Sequence, residues 1–202
     1  MQTEKKTKLP TIGFALEGGF FAGVINVNNE RFALIVAPKY SGQINNIPWG
    51  KLRESINASS CFDGAANTAA MAEAGLPLAT WAQNLSINGH NDWYIPSGHE
   101  LELMYRNLKP TTQENHCGFR DGDNTSTIPA GHMYTKLSPS QTSAEDFKDD
   151  NAQAFDPAWY WSSTQCLAYD AWGQHFGYGI QNDSDKVCEG RARAVRRFKL
   201  SI

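Results

Sequence analysis

Strand-forming sequence lies at both ends of this chain and helix-forming sequence in its middle. That order excludes a doubly wound plan, in which strands and helices alternate along the chain, and predicts an α+β fold. At the N-terminal end, residues 14–16, 20–27 and 31–37 are rich in aromatic and β-branched side chains, with Gly18-Gly19 and Asn28-Asn29 as turn chemistry between them. The second pair reads as a hairpin. Its second strand carries the unbroken apolar run Phe32-Ala33-Leu34-Ile35-Val36-Ala37, which predicts cover on both faces. At the other end, residues 159–164, 171–176 and 191–200 read as three strands. In the last of them Ala192, Ala194 and Phe198 face away from Arg191, Arg193 and Arg197, although Val195-Arg196 breaks the alternation.

The middle is helical. Asp63 is placed to cap a helix through the alanine-rich run that follows, with Gly75 at the expected stop. A short helix is expected over 77–85, packing Leu78, Trp81 and Leu85. After the extended segment Trp93-Tyr94-Ile95-Pro96, Ser97-Gly98-His99-Glu100 matches a capping box, and Leu101, Met104 and Leu108 form one apolar helical face. Residues 38–58 read as an irregular connection around Trp49. The stretch from 109 to 158 has no periodicity and is too long for an ordinary connection, which marks it as functional or as packed on a neighbour. The expected organisation is a polar tail over 1–10 and a single domain over 11–202. Within that domain, 11–60 is hairpin and connection, 61–108 helical, 109–158 long loops, and 159–202 the C-terminal strands around an irregular polar segment.

A net charge of -3 lacks the clustered positive charge that nucleic acid or an anionic membrane surface requires. No apolar run reaches the roughly 20 residues of a spanning helix, and no apolar stretch follows the charges of residues 1–8, so neither membrane insertion nor a signal peptide is expected. Cys61, Cys117, Cys166 and Cys188 show no C-x-x-C spacing; reduced thiols are expected, with a Cys166–Cys188 bridge as the alternative if their strands are neighbours. The histidines His90, His99, His116, His132 and His175 are scattered, and only His116 has an adjacent metal-type ligand, Cys117. Asp121-Gly122-Asp123-Asn124 has the composition of an oxygen-rich calcium loop. It lacks the glycine and terminal glutamate of an EF-hand, so a solvated turn is expected and no cofactor is assigned. Nucleophile-elbow, zincin, P-loop and dinucleotide fingerprints are missing, and no catalytic residue is assigned.

The series Asp92-Trp93-Tyr94-Ile95-Pro96-Ser97 with Glu100-Leu101, Trp159-Tyr160-Trp161-Ser162-Ser163-Thr164 and Arg193-Ala194-Val195-Arg196 resembles the Lcl C-terminal family of domains of unknown function from phages and prophages. The resemblance covers roughly residues 85–200, and residues 12–37 resemble the N-terminal hairpin of prophage members. It implies a C-type-lectin-like fold, similar to formylglycine-generating enzymes and to the variable proteins of diversity-generating retroelements. By that likeness the framework is Trp161, Ser162, Ser163, Trp172, Gln174, Phe176 and the run 191–197. The displayed, ligand-binding positions are Tyr169, Asp170, His175, Tyr178, Ile180, Asn182 and Asp183. Trp161 and Trp172 are expected in the core. Arg193, Arg196 and Arg197 are expected to pair with carboxylates such as Asp92 and Glu100 or to cap carbonyls.

The function so implied is that of a phage structural or receptor-binding protein, recognising a host surface protein or glycan non-covalently. It would act as a homo-oligomer, a trimer for example, alongside other phage structural proteins in the virion, or in the bacterial cytoplasm before assembly. Lectin-like relatives place calcium in their long loops, which keeps the 121–124 turn in view. The alternative is a purely structural virion component, a capsid decoration or tail accessory protein. A formylglycine-generating-like oxidase would need closely placed cysteines, for which Cys166 and Cys188 are the candidates.

Overall fold

The N-terminal hairpin forms where its turn chemistry places it. In the computed structural model, which describes residues 8–201, β1 (Ala15–Leu16), β2 (Gly19–Val27) and β3 (Glu30–Val36) are joined by two-residue turns. Residues 1–7 of the expected polar tail, and Ile202, lie outside the described residues. Both turn positions are left-handed, with φ of 47° and 85° at Glu17 and Gly18 and 52° and 66° at Asn28 and Asn29. A single helical turn, α1 (Lys39–Gly42), leads into β4 (Gln43–Pro48). The helices are α2 (Gly64–Glu73), α3 (Pro77–Gln83) and α4 (Gly98–Leu108). After β5 (Thr127–Ile128) and a 3-10 turn (Glu145–Phe147) come β6 (Trp159–Gln165), β7 (Asp170–His175), β8 (Gln181–Asp185), β9 (Glu189–Arg193) and β10 (Val195–Lys199). The protein is therefore mixed α+β.

The strands form two five-stranded sheets. One runs β1-β2-β3-β10 with β5 on β2; the other runs β4-β9-β6-β7-β8. Central placement explains the apolar run of β3. Leu34 and Val36 enter the cluster under α4, with Leu101, Met104, Tyr105 and Leu108, while Ala33, Ile35 and Ala37 enter a second cluster with Trp93 and Ile87 on the opposite face. A third cluster, around Trp49, Met71 and Trp161, lies between α2, α3 and the second sheet.

Three expectations need correction. The connection 38–58 holds α1 and β4, and β4 pairs with β9; its polar composition and a register shift between Ile44 and Ile47, where Asn46 is left-handed (φ 52°), hide the strand. The expected strand over 191–200 is two strands in different sheets, and the broken alternation at Val195-Arg196 marks the break. There the Ala194 amide donates to Gly42 O (2.8 Å) while Ala194 O accepts from the Ala37 amide (2.9 Å), so the chain changes sheet beside the β3–α1–β4 crossover. The polar segment between β7 and β9 is not wholly irregular either, because β8 pairs along the length of β7.

The arginines of this end are internal. Arg193 is fully buried over the rings of Phe147 and Phe155 and donates to Ala37 O (2.9 Å), Gln153 O (2.7 Å) and Gln153 Oε1 (3.0 Å). Burial lowers its pKa to about 10. Arg197 pairs with Asp63 (2.9 Å) and lies 3.7 Å from Glu100. Glu100 closes the capping box of α4, accepting from the Ser97 and Gly64 amides and from the Tyr94 hydroxyl. Burial pushes its carboxyl above the ordinary range. Among the described residues no helix is long and apolar enough to cross a membrane.

Candidate functional site

The N-terminus of α4, the 118–124 loop and the face of the second sheet enclose a cleft of about 490 Å³. Each wall is fixed from behind. On the helix side the Gly98 amide donates to Thr164 Oγ1 of β6 (3.0 Å), and Thr164 donates on to Ser60 O (2.8 Å). His99 holds Ser126 Oγ at 2.8 Å, and burial keeps its pKa below the usual histidine value. On the loop side Asp121 is buried and accepts from His116 Nδ1 (2.7 Å) and the amides of Gly118 and Gln181 (both 3.1 Å). Gln181 returns the link, its Oε1 accepting from the Gly122 amide (2.8 Å). The loop is thereby stapled to β8.

The 121–124 turn is held by internal bonds. Asp121 spends its oxygens on internal donors, Asp123 pairs with Arg120 (2.9 Å), and Asn124 donates to His99 O and Glu102. Among the described residues no group of three or more His, Cys, Asp or Glu side chains is arranged to hold a metal. All four cysteines are free thiols, so the Cys166–Cys188 bridge is not formed.

The expected displayed positions do not converge on one spot. Asn182 is exposed on the cleft. Tyr169, 47% exposed, sits under the guanidinium of Arg53 (6.0 Å), beside exposed Leu167 and Val187. Asp183 and Asp185 crowd Asp170; desolvation and those two neighbouring carboxylates raise the Asp170 pKa. At the far end of the β7–β8 ribbon His175 stacks on Tyr178 (4.2 Å between rings, 25°), with Trp159 edge-on to His175 and Ile180 half-buried in the same turn. The ribbon thus displays a polar and aromatic strip with the cleft at its centre.

Of the expected framework, Trp161, Ser162, Ser163, Gln174 and Phe176 are buried. Trp172 is not. It is 36% exposed and lines the cleft, because its place on β7 puts it opposite Asp183 of the edge strand β8, beyond the cover that the loops give. Phe119, 93% exposed at the rim, was also outside the sequence expectations, although an aromatic between Gly118 and Arg120 has no strand or helix pattern to bury it. Gln174 and Gln181 complete the lining from β7 and β8.

A buried lysine fixes the Tyr169 end. Lys186 donates to Glu54 O (2.6 Å), Gln165 Oε1 (2.8 Å) and Ala168 O (3.1 Å), and its ammonium lies 4.8 Å from the centre of the Trp49 ring.

No family model matches this chain, and no curated protein matches it. Among solved structures it is similar to a fimbrial protein from Bacteroides ovatus, with a TM-score of 0.45 and 13% identity over 88% of this chain. The chain spans 43% of that protein's length.

Proposed function

We propose that this chain is a non-catalytic recognition protein of phage type, a lectin-like domain that binds a bacterial surface protein or glycan through the β7–β8 ribbon and the cleft beside it. The observation that carries this reading is a displayed strip on a braced support. Tyr169, Asn182 and the His175–Tyr178 stack reach solvent, while Lys186, Asp121 and Gln181 tie the backbone beneath them to distant loops. Side chains held this way meet a partner with little further ordering to do, and ordering is a main cost of association. The resemblance of residues 85–200 to the Lcl C-terminal family supports the lectin-like assignment. Repetition of a modest site in a homo-oligomer would supply avidity.

The test is binding of labelled protein to bacterial host cells. Tyr169→Ala and Asn182→Ala together should reduce cell binding at least several-fold with an unchanged melting temperature. Unchanged binding overturns the reading. A second reading, a purely structural virion component, is favoured by Tyr40 and Phe14, which stand fully and largely exposed away from the ribbon. On that reading Tyr40→Ser blocks assembly and leaves cell binding alone.

A further inference from the structure

The cleft beside β7 contains a buried acceptor with no protein donor. Gln174 is 1% exposed; its Nε2 donates to the Tyr134 hydroxyl (3.0 Å) and to Gly179 O (3.2 Å), but its Oε1 has no partner among the described residues. A buried polar atom left so is destabilising, which a chain tolerates most readily where a ligand supplies the missing donor. Gln174 lines the cleft, so a ligand seated there is placed to supply the missing donor when the side chain turns toward it.

The rest of the cleft narrows the ligand. Trp172 and Phe119, from different elements, offer exposed ring surface on one opening. The charged side chains are already engaged, since Arg120 is paired with Asp123 and Asp121 accepts hydrogen bonds from His116 and from the Gly118 and Gln181 amides. An anionic ligand would compete with Asp123 for Arg120, and a wholly apolar one would leave the Gln174 oxygen unsatisfied. The volume lies within the range of small-ligand sites, about 300–1,000 Å³. Flat apolar faces with hydroxyl donors around the edge are the chemistry of a pyranose ring.

We propose that this cleft takes one neutral pyranose residue of a surface glycan, stacked on Trp172 and Phe119, with a sugar hydroxyl donating to Gln174 Oε1. The assignment rests on the recognition reading and selects the glycan within it. Arg120 and Asp123 stay paired on binding, so sugar acids are not ligands of this site.

The experiment is a nuclear magnetic resonance titration of the full chain with methyl glycosides of glucose, galactose, mannose and N-acetylglucosamine, with glucuronic acid and N-acetylneuraminic acid as the charged set. At least one neutral sugar should shift the Trp172 indole and Gln174 side-chain amide signals saturably. Trp172→Ala should weaken that sugar about tenfold. Gln174→Met, which keeps the volume and removes the acceptor, should weaken it in a variant whose fold is checked by its amide spectrum; if that variant does not fold, the Trp172→Ala result decides. Saturable shifts by the acids alone, or shifts that Trp172→Ala leaves unchanged, overturn the proposal. Protease-treated cells separate the failures. If cell binding is real and protease-sensitive while every sugar fails, the recognition reading stands and the sugar assignment falls; if cells are not bound at all, both fall.

Discussion

Arg196 grips Asp92 with two prongs, Nε at 2.7 Å from Oδ1 and Nη2 at 3.0 Å from Oδ2, and so fastens β10 to the segment that leads into α4. The arginine is nearly buried and also donates to Glu17 O in the first turn (3.0 Å), whereas Asp92 is 52% exposed. Solvent therefore screens the pair, and Asp92→Asn should cost about 1 kcal/mol. Burial pushes the Asp92 carboxyl up, but the Arg196 hydrogen bond and charge outweigh it and hold the pKa below the usual range. A carboxyl with a lowered folded pKa stabilises above its unfolded value of about 4, and that stability is lost as pH falls through the folded value. The gap in melting temperature between native protein and Asp92→Asn should therefore close below about pH 4. A gap that persists at pH 2.5 would show that the ionised pair is not its source.

Gly64 opens α2 against the capping box of α4. A Cβ there would lie 2.3 Å from Glu100 Oε2 and 2.6 Å from both Ile95 O and the Ser97 amide nitrogen. Two of these atoms are backbone and cannot yield. Helix propensity favours Gly64→Ala, though at the first position of α2 by less than the about 1 kcal/mol of a helix interior, so the two effects oppose each other. The clash should win, with a net loss of about 3 kcal/mol in urea unfolding. A neutral or stabilising result would show that the junction of α2 and α4 relaxes freely.

How far sequence reaches is seen in these same residues. The capping box, the Asp63 cap and the hairpin turns are legible because each is settled by side chains within four positions of one another. β4 and β8 are not, since Gln43-Ile44-Asn45-Asn46-Ile47-Pro48 and Gln181-Asn182-Asp183-Ser184-Asp185 have little strand propensity and are strands only because β9 and β7 offer them partners. The same limit applies to the cleft. Trp172 looks like core from its own strand, and only the edge position of β8 leaves it in solvent, while one of the three bonds that fix Asp121 comes from Gln181, sixty residues on.

Substitutions along the ribbon should divide by support. Tyr169 and Asn182 make no hydrogen bond through their side chains among the described residues, and alanine at either should change stability by less than about 0.5 kcal/mol. His175 is different, because its ring contacts both Tyr178 and Trp159 and its Nδ1 accepts from the Gly177 amide (3.1 Å). His175→Ala should cost about 1 kcal/mol. Chemical unfolding of the single variants measures both, and an equal cost at the three positions would argue against the braced-support description.

Lys186 offers the sharpest test of that support. Its ammonium is buried beside Trp49 and donates to three protein acceptors, Glu54 O, Gln165 Oε1 and Ala168 O. Lys186→Met preserves the stem and removes every donor, so the acceptors lose their partners and the loops at 51–54 and 166–169 lose their tie. The expected cost is about 3 kcal/mol, with faster amide exchange concentrated in those two loops. Desolvation lowers the lysine pKa in the folded state, which means that folding opposes its protonation. The native protein should then gain on Lys186→Met as pH rises from neutral toward the unfolded lysine value of about 10.4, because the penalty for burying charge is progressively relieved. If the methionine variant is as stable as the native protein and exchanges no faster at 166–169, the Tyr169 end of the ribbon is held by packing and the lysine is dispensable to it.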